Sequence, residues 1–335
     1  MKIVFFGSPA FAVPFLKALH NDADVELIAA VCQPDQPAGR GQELAEPAVK
    51  TAALAHGIKV LQPATLKDEA VQKDLSAFGA DFFVVVAYGK LIPKAVLDIP
   101  RLGCVNVHPS LLPKYRGASP MQFALDAGDP ETGITVMLLD EGMDTGPILA
   151  FDHVEIHDDE TLGSLTTKVE QTGPSLLLST LKRFAAGEIT PLKQDDAKAT
   201  PSRKLEKEDG HIDWTKTAAA IERRVRAYDP WPGTWSVWNR NGKALRLKII
   251  QVSEGGVTGG GGPPDGGPQR SEDTTDGGGA GQAPTGTVQI FSKRMFVRCG
   301  DDELEILKLQ PEGKAAMTAA QFLAGYSDVS GAVLA

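Results

Sequence analysis

The chain has 335 residues, a net charge of −9 and 42% hydrophobic residues, the composition of a globular protein large enough for two domains. Its three cysteines are widely spaced and odd in number, so neither a disulfide framework nor a metal cluster is expected. No apolar run approaches a membrane span and the first predicted strand begins at Lys2, so we expect a cytoplasmic protein without a signal or transit sequence.

Apolar strands alternate with helical patterns through the first half of the chain, which indicates an α/β fold with a doubly wound, mostly parallel sheet. A strand is predicted at Lys2–Gly7 and a helix at about 11–20. The nearly continuous apolar run at 81–87 predicts a central strand buried on both faces. Tyr88 and Gly89 follow this strand and are expected at the edge of the sheet.

The segment 33–41 is rich in proline and glycine and is too long for an ordinary connection in such a sheet. Long loops after strands often carry function, and Arg40 supplies the positive charge of this segment. A mobile surface loop is the alternative interpretation.

Asn106 and His108 lie in a short apolar run, Cys104–His108, which predicts a buried strand. Residues two apart on a strand share a face, and Pro109 ends the strand directly after them. The two side chains are therefore presented at the carboxyl end of a strand, where open α/β sheets bind ligands. An amide and an imidazole at this place suit acyl transfer, in which an oxyanion develops and a proton moves. A purely structural pair is the alternative interpretation.

A third group is needed to hold the histidine in its charged or correctly protonated form, and Asp144 is the best candidate. It lies in the segment 139–147, which follows a second apolar run at 134–139. Two glycines in this segment let a loop fold back over a site. The sequence therefore predicts a site formed by Asn106, His108 and Asp144, and nothing in it requires a metal.

The second half of the chain has a different character. The composition turns polar at 190–207, which predicts a linker between domains at 1–189 and 208–335. Short alternating runs with turn signals predict a small β-barrel after the linker. The 33 residues of 254–286 include 13 glycines and almost no apolar side chains, so this insertion is expected to be a disordered loop.

Positive charge concentrates at 203–250, which holds 11 Lys and Arg against 6 Asp and Glu, whereas 1–202 holds 17 against 26. A basic patch on an acidic protein can contact a phosphate backbone, and Arg223, Arg224 and Lys248 belong to this patch. A solvated mixed surface is the alternative interpretation.

Several motifs, in this order, resemble those of the formyltransferases that use 10-formyltetrahydrofolate, most closely the members that act on methionyl-tRNA. They are Gln33 to Gly41, Asn106-Val-His108, Ser110-Leu-Leu-Pro113, Tyr115-Arg-Gly117, Asp140-x-Gly-x-Asp144-Thr-Gly146 and Asp229-Pro-Trp-Pro232. The resemblance spans nearly the whole chain except the glycine tract. It implies a Rossmann-like catalytic domain followed by an OB-like barrel that binds tRNA.

The resemblance also implies transfer of the formyl group of 10-formyltetrahydrofolate to methionine on initiator tRNA, by a monomer. Asn106 and His108 would hold the oxyanion, while Asp144 would raise the pKa of His108 and relay the amine proton through water. The implied folate contacts are Tyr88, Gly89, Ser110, Leu111, Leu112, Pro113 and Asp140. The implied tRNA contacts are Arg40, Arg223, Arg224 and Lys248.

Three other functions remain open at this point. One is a folate transferase acting on a small amine such as glycinamide ribonucleotide or an amino sugar, against which the basic domain and the Arg40 loop argue. A second is a hydrolase that gives the formyl group to water. The third is a noncatalytic RNA-binding protein on an inactive transferase fold, against which the intact Asn106, His108 and Asp144 argue.

Overall fold

The chain divides into two compact units. The computed structural model describes residues 1–38, 43–255 and 283–335. The first unit comprises Met1–Leu125 and Asp129–Lys204, and the second comprises Asp126–Gly128 and Leu205–Ala335. Within the described ranges, no helix combines the length and apolar character needed to cross a membrane.

The first unit is built on a seven-stranded sheet with the order β10-β9-β7-β6-β1-β2-β5. The strands of this unit are β1 (Lys2–Gly7), β2 (Glu26–Val31), β3 (Gln36–Ala38), β4 (Glu43–Ala45), β5 (Lys59–Leu61), β6 (Phe82–Val86), β7 (Cys104–His108), β8 (Arg116–Gly117), β9 (Glu131–Leu138), β10 (Ile148–Glu155) and β11 (Pro201–Ser202). Five neighbouring strands, β7, β6, β1, β2 and β5, pair in parallel. At the β7 side of the sheet, β9 pairs antiparallel with β7, and β10 pairs antiparallel with β9. The predicted mostly parallel α/β sheet is therefore confirmed.

Helices cover this sheet and bury its central strands. They are α1 (Val13–Asn21), α2 (Ala48–Ala55), α3 (Glu69–Ala77), α4 (Lys94–Leu97), α5 (Pro120–Ala127) and α6 (Leu162–Ala185). Every residue of β6 and β7 is buried, as expected for strands covered on both faces. Gly173 of α6 lets the ring of Phe15 on α1 approach closely, because a Cβ on Gly173 would lie 2.7 Å from that ring.

Two segments differ from the sequence-based expectation. The segment 33–41, expected to be an irregular loop after β2, contains strand β3, which pairs with β4 beyond the segment, with Gln36 opposite Ala45. Arg40, between them, lies outside the described residues. The segment expected to be a linker at 190–207 is held on the first unit up to Lys204, because β11 pairs with β8 and Leu192 pairs with Ile148.

The second unit contains an antiparallel sheet with the order β12-β13-β16-β15-β14, beside which β17 pairs with β16. Its elements are α7 (Ala218–Tyr228), β12 (Thr234–Arg240), β13 (Lys243–Glu254), β14 (Val288–Phe291), β15 (Arg294–Arg298), β16 (Glu303–Pro311), β17 (Met317–Thr318) and α8 (Ala319–Gly325). The last residues of the chain bridge the two outer strands, since Leu334 pairs with Trp238 and Val333 with Thr287. The predicted barrel-like domain is therefore confirmed. Residues 256–282, most of the glycine-rich insertion, lie outside the described residues.

Candidate active site

Strand β7 places Asn106 and His108 side by side at the carboxyl edge of the parallel strands. Asn106 lies opposite Val85 of β6, and His108 opposite Thr135 of β9. Both side chains are almost fully buried, with 9% and 3% of their surface exposed. Within the described part of the chain, the Asn106 amide makes no hydrogen bond. Its N–H groups are therefore available to a ligand.

His108 is held between a carbonyl and a carboxylate. Its Nε2 lies 2.9 Å from the carbonyl oxygen of Tyr115, and because that oxygen can only accept, Nε2 carries a proton. Its Nδ1 lies 3.6 Å from Oδ2 of Asp144. In the neutral ring, Nδ1 therefore keeps a lone pair that faces the carboxylate and can take up a proton.

The pKa of His108 is lowered below its ordinary value because burial disfavours the charged ring. The negative charge of Asp144 and the hydrogen bond to Tyr115 raise the pKa but do not outweigh burial. The expectation that Asp144 raises the pKa of His108 agrees in direction with this contribution, and burial reverses the net shift. The imidazole is mainly neutral near pH 7, as a proton acceptor requires.

Asp144 belongs to a loop whose turn is fixed by a second aspartate. Oδ1 of Asp140 accepts hydrogen bonds from the Gly142 N–H at 3.0 Å and the Thr145 hydroxyl at 2.6 Å. Asp144 has a left-handed backbone with a φ of 55°, and its Oδ2 accepts a hydrogen bond from the Gly117 N–H at 2.8 Å. The carboxylate is therefore oriented toward His108 by the chain around Gly117.

Gly117 occupies a position that no other residue fits, which gives a testable prediction. Its φ is 122°, and an added Cβ would lie 2.1 Å from the carbonyl oxygen of Ser202. We expect Gly117→Ala to lower the melting temperature and to reduce kcat at least tenfold, because the strand pair around Ser202 must shift and the Gly117 N–H moves with it. Thermal unfolding and kcat measure the two effects.

Gly187→Ala is the matched control for this prediction. Gly187 also has a positive φ, 75°, but an added Cβ would meet nothing within 4 Å. The Gly187→Ala variant should lose about 1–2 kcal/mol of stability, the cost of left-handed backbone strain, and should keep the parent kcat. Equal losses of stability and activity in the two variants would contradict the role assigned to the Gly117 contact.

The residues expected to contact folate are mostly turned toward the protein. The Ser110 hydroxyl donates to the carbonyl of Lys114 at 2.6 Å, and Leu112 packs with Met137 and Ile148. The Tyr88 ring is buried in the core, where burial raises its pKa to about 12, and its hydroxyl has no partner among the described residues. A cofactor role of these segments would therefore rest largely on backbone groups.

A cavity of about 540 Å³ lies beside the turn that follows β6. It is lined by 64–67, 90–94 and Glu141, which combine apolar side chains with several lysines. An adjoining cavity of about 530 Å³ lies between α4 and the loop that begins at Leu138. In the described ranges, no three His, Cys, Asp or Glu side chains cluster in a way that could hold a metal ion.

The candidate tRNA contacts described in the second unit are engaged with carboxylates or with a backbone carbonyl. Arg224 donates two hydrogen bonds to the Asp126 carboxylate, at 3.1 and 3.0 Å, and Nε of Arg223 lies 3.5 Å from the Asp126 carbonyl oxygen. Lys248 lies 3.4 Å from the carboxylate of Asp229. These cations would reach a phosphate only by sharing or exchanging these partners.

Sequence reasoning missed three groups that complete the site. The Tyr115 carbonyl accepts from both His108 and the Ser202 hydroxyl, the latter at 3.0 Å. The Gln194 side chain donates to the backbone carbonyl of Asp144 at 2.9 Å. The motif containing Tyr115 was visible in the sequence, but nothing marked Gln194 or Ser202, which lie in the segment expected to be a linker.

Comparison with known families and proteins gives consistent results. The family model for formyl transferase matches residues 1–181, and the model for the formyl transferase C-terminal domain matches residues 204–327. A methionyl-tRNA formyltransferase of Chloroflexus aurantiacus is 43% identical over 327 residues, covering 97% of each chain. One of Stutzerimonas stutzeri is 48% identical over 260 residues, covering 77% of this chain and 82% of the other.

Solved structures share the fold at low sequence identity. The sugar 3N-formyl transferase WlaRD, solved with dTDP and 5-N-formyl-THF, is 18% identical with a TM-score of 0.61, covering 94% of this chain and 99% of the other. HypX from Aquifex aeolicus in complex with tetrahydrofolic acid is 15% identical with a TM-score of 0.58. The match covers 97% of this chain but only 47% of HypX. At these identities the likeness shows the fold alone.

Proposed function

The chain belongs to the methionyl-tRNA formyltransferase family, and from this membership we propose that it transfers the formyl group of 10-formyltetrahydrofolate to the free amino group of methionine on initiator tRNA. The observation that carries the chemistry is the unpartnered Asn106 amide beside the His108–Asp144 pair at the sheet edge. A hydrogen-bond donor and a proton acceptor side by side are what amide formation from an amine and a formyl group requires.

The proposed reaction exchanges one carbon–nitrogen bond for another. The α-amino nitrogen attacks the formyl carbon, and the formyl oxygen becomes an oxyanion that the Asn106 amide stabilises. The amine gives up a proton to Nδ1 of His108, directly or through a water held by Asp144. The imidazolium that forms is stabilised by the Asp144 carboxylate and the Tyr115 carbonyl. It faces the oxyanion from β7, the strand that also carries Asn106.

The second half of the reaction returns the proton. The bond between the formyl carbon and N10 of the folate breaks, the oxyanion collapses to the new amide, and N10 takes the proton that left the amine. No net proton is released, so the His108–Asp144 pair ends in the state in which it began. A ring whose pKa is held below its ordinary value gives up such a proton readily.

The folate donor is proposed to extend from the cavities beside the turn at Gly89 to Asn106 and His108, which line neither cavity. The larger cavity offers apolar surface from Leu91 and Ile92 and positive charge from Lys67 and Lys90. These suit a flat aromatic group with an acidic tail. We propose that the backbone of Tyr88 and Gly89 contacts the heterocycle; Gly89 has a φ of 80°, which glycine adopts without strain.

The tRNA partner is proposed to contact the basic segment of the second unit, including Arg223, Arg224 and Lys248, together with Arg40. We further propose that the protein acts as a monomer in the cytoplasm, where charged initiator tRNA and reduced folates are found together. The likeness to a sugar formyl transferase concerns the fold alone and does not favour a sugar substrate.

The test is transfer of labelled formyl from 10-formyltetrahydrofolate, with methionine-charged initiator and elongator tRNA offered in parallel at defined salt. We expect formylation of the initiator alone. Formylation of a small amine, or release of formate without transfer, would support the proposed active site but contradict the proposed substrate. Absence of any reaction with the donor would overturn the proposal as a whole.

A further inference from the structure

Gln194 is a buried amide whose hydrogen-bonding groups are all used, and only 5% of its surface is exposed. Its Nε2 donates to the carbonyl of Asp144 at 2.9 Å and to that of Gly146 at 2.7 Å. Its Oε1 accepts from Nε and Nη2 of Arg116, at 3.0 and 2.8 Å. Carbonyls only accept and a guanidinium only donates, so no other orientation of the amide satisfies these four partners.

The two loops that Gln194 joins are those that hold the two nitrogens of His108. On one side, Asp144 places its carboxylate 3.6 Å from Nδ1. On the other, Arg116 lies between Tyr115, whose carbonyl accepts from Nε2, and Gly117, whose N–H donates to Asp144. A single side chain therefore fixes the separation of the groups on either side of the imidazole.

The backbone of Asp144 needs such support. Its φ of 55° is left-handed, a conformation that costs a non-glycine residue energy and persists only where the surroundings impose it. The Asp144 carbonyl accepts from Gln194, and its carboxylate accepts from Gly117. Without the Gln194 bond, the loop can relax and carry the carboxylate away from His108.

The segment that contains Gln194 is itself anchored on the same loop. β11 pairs with β8, and the Ser202 hydroxyl donates at 3.0 Å to the Tyr115 carbonyl that also accepts from His108. Arg116 forms a further ion pair with Asp196 at 2.8 Å, but that carboxylate is mostly exposed. The buried contacts of this segment thus converge on the His108 surroundings, while its outer contact does not.

We propose that Gln194 is a positioning residue of the formyl transfer site, which sets the distance between His108 and Asp144 by joining the loops that carry their partners. The proposal rests on the proposed function. It assigns Gln194, and not the whole of the segment 190–204, to the support of the site. Gln194 touches no reacting atom, so its effect is on turnover and not on substrate binding.

The decisive variant is Gln194→Glu, with Gln194→Ala beside it. Glutamate keeps both acceptor bonds to Arg116, and so the anchoring of the chain, but replaces the donor with an oxygen that opposes the carbonyls of Asp144 and Gly146. We expect each variant to lower kcat 10- to 100-fold, with KM for both substrates within twofold of the parent. Asp196→Ala, which removes only the exposed ion pair, should keep the parent kcat.

A titration of the histidines by NMR separates positioning from general damage and needs no substrate. The chain has six histidines, and in the Gln194 variants we expect the pKa of His108 alone to fall further, since the Asp144 charge that raises it is displaced. The proposal would be overturned if the Gln194 variants kept the kcat of the parent protein. It would also be overturned if their kcat fell while the pKa of His108 stayed unchanged. Failure of the unaltered protein to transfer formyl would instead overturn the proposed function.

Discussion

Asn106→Ala is expected to lower kcat at least a hundredfold while leaving stability close to that of the parent. A donor aimed at an oxyanion is worth about 2.7–4 kcal/mol of barrier in enzymes of this kind, which is a factor of 10²–10³ in rate. The Asn106 amide makes no hydrogen bond in the described structure. Its removal therefore breaks no native hydrogen bond, and thermal unfolding should change little.

The measurement is kcat with both substrates saturating, alongside a thermal melt. Asn106→Asp, which matches the shape but places a negative charge where the oxyanion forms, should lose more activity than Asn106→Ala. Asn239→Ala, an exposed asparagine on strand β12, is the control for the same substitution on a strand. If Asn106→Ala keeps more than a tenth of the parent kcat, another group must stabilise the oxyanion.

The sheet and the strand-borne part of the site were predictable because they follow from local rules. An apolar run of β-branched residues identifies β7, and a period of two places Asn106 and His108 on one face. Proline after His108 ends the strand at the carboxyl edge. Each step uses neighbouring residues only, and the structure places the two side chains side by side as expected.

The support of the site was not predictable, because it depends on pairings that local patterns do not encode. Gln194 reaches Asp144 across 50 residues, and Ser202 reaches Tyr115 across 87. A polar segment whose side chains satisfy buried partners has the same composition as a solvated linker. Only the fold shows that Gln194 and Ser202 contact the loops that hold His108.

The net direction of the His108 pKa shift was not predictable for a related reason. A nearby carboxylate is readable from a motif, and its effect on the pKa of a histidine has a known sign. The depth at which the ring lies depends on how β6, β7 and β9 come together, and burial proves the larger influence. The sequence indicated the charged neighbour, Asp144, but it did not indicate how deeply the His108 ring is buried.

Asp144→Asn is expected to lower kcat by a factor of about 10²–10⁴, the range typical of proton transfer by a positioned group. Asparagine keeps an acceptor for the Gly117 N–H and tolerates a left-handed backbone, so the loop should be retained. The substitution removes only the charge that stabilises the imidazolium. Asp152→Asn, which removes an exposed charge on β10, should keep the parent kcat.

The pH dependence of the Asp144→Asn variant has a fixed sign. Removing the carboxylate takes away an influence that raises the pKa of His108, so that pKa should fall further below its value in the unfolded chain, about 6.5. A group whose pKa is lowered on folding costs stability as the pH falls below the unfolded value, because the unfolded chain then binds the proton more readily. The variant should therefore lose more stability than the parent between pH 8 and pH 5.

Two measurements on one pair of proteins decide this prediction. Histidine NMR should show the lower His108 pKa, and denaturant unfolding at several pH values should show the steeper acid loss. If the pKa instead rises in Asp144→Asn, the carboxylate does not stabilise the imidazolium and the 3.6 Å contact has no electrostatic role. If both physical measurements agree with expectation but kcat is unchanged, the pair is a structural ion pair, and the amine must lose its proton to solvent.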